Sequence, residues 1–146
     1  FALGILPLEA RVLVPVSGMV VGNSLKVVVV AATRLVDGLR DRVGEVEALL
    51  ALGFRPAWAV RDIASDALRL ALLPQIEITR SVGVVFLPGV LTGLILAGVD
   101  PIQAALVQAA LLFLILGTAA VTGLVVVFFG VRVFLTDDQR LVPPTV

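Results

Sequence analysis

Residues 47–69 read EALLALGFRPAWAVRDIASDALR. The stretch carries charges of both signs and has helical spacing, and it lies between two segments apolar enough to enter a bilayer. From Val60 its apolar positions continue through Ile63, Ala64, Ala67, Leu70 and Ala71, one face of a helix, opposed by Arg61, Asp62, Asp66 and Arg69. Upstream, Leu35, Leu39, Val43, Val46 and Leu50 trace a second apolar face, with Arg40, Asp41, Glu45 and Glu47 on the other side. Gly53 is suited to end the first helix and Pro56 to open the second, so the spacing predicts an amphipathic hairpin. Trp58, with an apolar ring and one N–H, suits the headgroup level.

Composition says what solvent surrounds this hairpin. Of 146 residues, 60% are hydrophobic and 15% charged, against roughly 45–50% and about 25% in soluble domains. That imbalance points to lipid. The absence of cysteine and histidine excludes a disulfide framework and the usual zinc sites. A formal net charge of zero, with no basic tract, excludes a nucleic-acid surface. No acid–base arrangement and no phosphate-cradling glycine loop with a following lysine is present, so an enzymatic role is not expected and ATP would be bound by another subunit.

A bilayer core about 30 Å thick needs roughly 20 apolar residues as helix. Three stretches approach this, at about residues 12–33, 82–98 and 104–135. The run LKVVVVAA within the first is β-branched, but lipid requires internally paired backbone, which favours helix. The expected fold is therefore all-α and polytopic, with three membrane spans and a coupling region at 34–80. Seven arginines in that region, against Arg11 alone on the other side, place it in the cytoplasm, together with the C-terminus. The same region holds seven acids, and balanced charge favours a protein partner over anionic lipid as the surface on which the hairpin docks.

Polar groups inside the spans are candidates for a pathway or gate. Asn23 and Lys26 lie in the first span, where a lysine costs about 2.5–3.5 kcal/mol on insertion scales. Pro88 and Gly89 interrupt the second, and a broken helix exposes carbonyls that bind cations. Gln108 enters the third and is polar enough to prefer the bundle interior. Asp100 and Pro101 suit the N-cap and first turn of that last helix. Gly18 and Gly22 form a pattern for close helix packing.

The segment from Glu47 resembles the signature loop of ABC-transporter permeases, in which a Glu-Ala pair is followed by a glycine six residues after the Glu and an isoleucine ten further on. Glu47, Ala48, Gly53 and Ile63 match this spacing; the Leu-Pro that usually closes the signature is displaced to Leu73-Pro74. Through LPGVLTGLILAGVDP and its flanks, nearly the whole chain is similar to the FetB-like (YbbM-like) permeases of iron-export ABC transporters, which are related to plant aluminium-tolerance permeases. The resemblance implies an ABC-permease fold, of which this chain is the C-terminal part, in the cell inner membrane. It implies a permease homodimer, a separate ATP-binding subunit holding ATP and Mg, and a metal ion as cargo. Coupling would run through Glu47, Ala48, Gly53 and Ile63. An importer permease for another small solute, or a non-transport scaffold recruiting a cytoplasmic partner, would share the hairpin. Only a transporter needs Asn23 and Lys26 in its interior.

Overall fold

The computed structural model describes residues 10–81 and 89–134, and among them every regular element is helical. The order is α1 (Ala10–Asp41), α2 (Val43–Ala51), α3 (Pro56–Ala59), α4 (Arg61–Ser81), α5 (Gly89–Leu96) and α6 (Pro101–Phe134). The β-branched run Val27–Val30 lies inside α1, as the demand for internally paired backbone in lipid requires.

Among the described residues two helices, not three, are long and apolar enough to cross a membrane: Val14–Asp41 and Pro101–Phe134. Only 17% and 22% of their apolar windows are buried, which leaves long apolar surfaces uncovered. The core helix of a soluble protein would bury such a surface, whereas lipid accepts it. The chain is accordingly an all-α membrane protein. The expectation of a second span at 82–98 is corrected. Its described part is α5, eight residues long, or about 12 Å against a 30 Å core. Gly98 at φ +85° closes α5 where the predicted stretch ends, with Gly98 N–H donating to Ile95 O and Val99 N–H to Leu94 O, each at 3.0 Å. Residues 82–88, including Pro88, lie outside the described residues. The three-span ABC-permease architecture is thus replaced by an all-α fold with two candidate spans.

The helix of the first predicted span continues into the coupling region: α1 runs unbroken to Asp41 and passes into α2 through the single residue Arg42, whose N–H still donates to Gly38 O at 3.2 Å. The predicted amphipathic face therefore begins inside the long helix.

The chain divides into two compact units. One comprises Phe1–Ser24 and Pro74–Ala119, the other Leu25–Leu73 and Ala120–Val146. In the first, Val16 and Leu111 are buried together, with Val20, Val90, Val107 and Leu114 packed against them. In the second, Leu35, Leu39, Val46, Val60, Ile63, Ala67 and Ala71 are buried, so both predicted amphipathic faces supply its core; Leu70, also assigned to the face, is exposed. Glycines set the closest approaches there. A Cβ at Gly38 would lie 2.7 Å from Ile63 Cγ2, and one at Gly123 would lie 2.8 Å from Leu68 Cδ1. Glycine at these two places lets α4 lie against α1 and α6 without displacing the Ile63 and Leu68 side chains.

Candidate functional site

The hairpin turn is built from its last helical carbonyls outward. α2 ends at Leu52, and Gly53 adopts φ +84°. Gly53 N–H donates to Leu50 O at 3.0 Å and Phe54 N–H to Leu49 O at 3.1 Å, which satisfies carbonyls that the helix end leaves free. Arg55 then turns the chain in an extended conformation, and Pro56 opens α3 at its first position, where a missing N–H has no cost. Phe54 stacks on Trp58, ring centroids 4.6 Å apart and planes within 15°, so the turn is braced by its own side chains. Trp58 remains half exposed.

Three of the four residues matching the permease signature share this turn. Glu47 and Ala48 are exposed on α2, and Gly53 is exposed at the turn itself. Ile63 is not: it is buried, touches the Gly38 position, and lies beneath two surface grooves. One groove is lined by Arg42, Glu45, Trp58, Arg61 and Asp62, the other by Arg34, Asp37, Asp41 and Asp66. Charges of both signs thus ring an apolar floor, a surface suited to a protein carrying complementary charges. A Cβ at Gly53 would meet nothing within 4 Å; its glycine answers to backbone conformation, not to crowding.

Within the apolar helices the structure places a polar contact that the sequence reading missed. Gln75 Nε2 donates to Asn23 Oδ1 at 2.8 Å, while Asn23 Nδ2 donates to Met19 O at 2.9 Å. Gln75 is buried, and it follows Pro74, which sits inside α4. α4 extends to Ser81, and through this bond its second half meets a residue inside the predicted first span. The signal available in the sequence was an amide next to a proline in the otherwise apolar run LALLPQI.

The remaining candidates lie apart from this pair. Gln108 is buried on α6, and its Oε1 has no hydrogen-bond partner among the described residues. Lys26 is exposed on α1. Gly89 is the first described residue of α5, and its carbonyl accepts from Thr92 Oγ1 at 3.2 Å. Asp100 caps α6 as predicted, its Oδ1 accepting from the N–H groups of Ile102 and Gln103 at 2.9 and 3.2 Å. Among the described residues no group of three or more His, Cys, Asp or Glu is placed to hold a metal ion.

Residues 2–135 match the uncharacterised protein family UPF0014. The chain belongs to this family. It is 36% identical over 140 residues to the UPF0014 membrane protein YjkA of Bacillus subtilis, covering 96% of this chain and 56% of that protein. It is 31% identical over 129 residues to the protein of Escherichia coli named "Probable iron export permease protein FetB", covering 88% of this chain and 50% of that one. The Arabidopsis thaliana protein ALUMINUM SENSITIVE 3 is 31% identical over 139 residues, 95% of this chain and 51% of its own length. The chain thus spans about half the length of the curated relatives it matches. No solved structure matches it.

Proposed function

We propose that this UPF0014 chain is part of a membrane permease that exports a metal ion, iron in the first instance, using ATP hydrolysed by a separate ABC-type subunit. The observation that carries the reading is the Gly53 turn: an exposed, self-braced loop with Glu47 and Ala48 at its shoulder and grooves bearing charges of both signs over the buried Ile63. Such a turn transmits force because its backbone is fixed by hydrogen bonds at both ends. It is anchored to α1 through the contact between Ile63 and Gly38. Movement of a docked ATPase would therefore reach α1 without unfolding the loop. ATP and Mg belong to that partner, and a second copy of the permease would complete the transporter.

The FetB name supports iron as cargo. Oxygen donors are what the described polar groups offer it: Asn23, Gln75 and Gln108 supply carbonyls, the class of donor that hard cations accept. The position of the turn relative to the arginine-rich segment supports a cytoplasmic location for it in the inner membrane.

The test is to purify the intact permease in lipid with candidate ABC-type ATP-binding subunits of the same organism and to measure ATP hydrolysis with ferrous, ferric and other metal ions. Stimulation by iron that disappears in Gly53→Val is the expected result. Binding of the ATPase with no response to any metal would remove iron export and leave the docking role; no binding at all would remove both.

A further inference from the structure

Of the two grooves over Ile63, one lies beside the Gly53 turn, with Trp58 in its wall. The other runs between α1 and α4, has a volume of about 180 Å³, and is lined by Arg34, Asp37, Asp41, Asp66 and Leu70. Docking of an ATPase calls on the turn and the groove beside it; the second groove is left without a use.

Its place along the two helices is particular. On α1 the uncharged run at residues 27–33 ends at Arg34, and Asp37 and Asp41 follow at helical spacing. On α4 Asp66 comes one turn before Leu70, where the uncharged run LALL begins. Both walls therefore change from charged to apolar at the groove. Because α1 is a candidate membrane span, that change marks the plane where hydrocarbon meets water. Leu70 and Leu73, both exposed, carry an apolar surface onward from the groove. A site at this plane faces lipid headgroups before it faces any water-soluble protein.

The charges choose among headgroups. Arg34, Asp41 and Asp66 are exposed and Asp37 is half-buried, and among the described residues these four side chains form no ion pair or hydrogen bond with one another. One arginine against three carboxylates, with Arg42 shared with the groove beside the turn, disfavours an anionic lipid. Among the described residues no carboxylates are grouped to hold a metal ion. A headgroup with a phosphate and a primary ammonium answers to both signs. The guanidinium donates to phosphate oxygens in charge-assisted hydrogen bonds, and the ammonium offers three N–H donors to carboxylates. A choline headgroup has no N–H to offer.

We propose that this groove binds the headgroup of phosphatidylethanolamine, with its phosphate at Arg34, its ammonium at Asp37 and Asp66, and an acyl chain along Leu70 and Leu73.

The experiment reconstitutes the complete permease in vesicles of phosphatidylethanolamine, phosphatidylcholine and phosphatidylglycerol in equal parts. A photoreactive benzophenone residue replaces Leu70, and its adducts are identified by mass spectrometry. Phosphatidylethanolamine is expected in at least fivefold excess over either other lipid. Asp66→Asn and Arg34→Gln each abolish the excess, whereas Arg61→Gln, in the groove beside the turn, leaves it unchanged. The first readout needs no charge variant, so a variant that fails to fold does not decide it. No ATPase is present, so failure of the transporter reading leaves this result where it stands. Adducts in proportion to the vesicle composition, an excess of phosphatidylglycerol, or an adduct on a polypeptide overturns the proposal, as does an excess that survives both charge variants.

Discussion

Gly53 is held at φ +84° although a side chain there would meet open space, so its replacement tests conformation separately from crowding. Left-handed backbone costs an ordinary L-residue about 1–2 kcal/mol, and asparagine is among the residues that tolerate it best. Gly53→Asn should retain most partner-stimulated ATP hydrolysis, and Gly53→Val should lose it while the protein still inserts; equal behaviour of the two would remove the conformational account. Gly38 makes the opposite case. Its φ is unexceptional, but a Cβ would stand 2.7 Å from Ile63 Cγ2. Gly38→Ala should cost about 1–3 kcal/mol by overpacking, and that cost should shrink in the Ile63→Ala background, where Cγ2 is absent. A thermal-unfolding double-mutant cycle in detergent checks this, with additive losses as the contrary result.

At the scale of elements, the amphipathic periods were legible in the sequence because burial follows them: Leu35, Leu39, Val46, Val60, Ile63, Ala67 and Ala71 are all in the core. The Gly53 turn and the Asp100 cap were legible because each depends on a few adjacent residues. Helix lengths were not. Apolar runs record what lipid accepts and not where a backbone stops, so α1 continues about two turns past the apolar run at 12–33, and the described part of the predicted span at 82–98 is an eight-residue helix. The bond between Asn23 and Gln75 joins residues 52 apart in sequence, a distance over which local patterns carry no information. It yields its own prediction. Gln75→Leu leaves Asn23 Oδ1 without its donor and should destabilise by about 1–3 kcal/mol, whereas Asn23→Leu with Gln75→Leu should restore much of the loss. If the double variant is stable but does not transport, the pair serves the pathway; if it transports normally, the pair is structural.

For the whole molecule, the account joins an exposed docking turn to long apolar helices through tightly packed glycine contacts, and it separates the site of ATP hydrolysis from the path of the cargo. Residues 1–146 contain no cysteine, so a thiol introduced among them is unique within this stretch, and any cysteine elsewhere in the intact permease is first replaced by serine. Leu52, beside the turn, is 75% exposed, and Ile102, at the start of α6, is 72% exposed. The decisive measurement is the maleimide labelling rate of Leu52→Cys and of Ile102→Cys in the intact permease, with and without its ATPase. The account predicts that the ATPase slows labelling at Leu52→Cys at least tenfold and leaves Ile102→Cys unchanged. Equal labelling of Leu52→Cys in the presence and absence of a bound ATPase would contradict it.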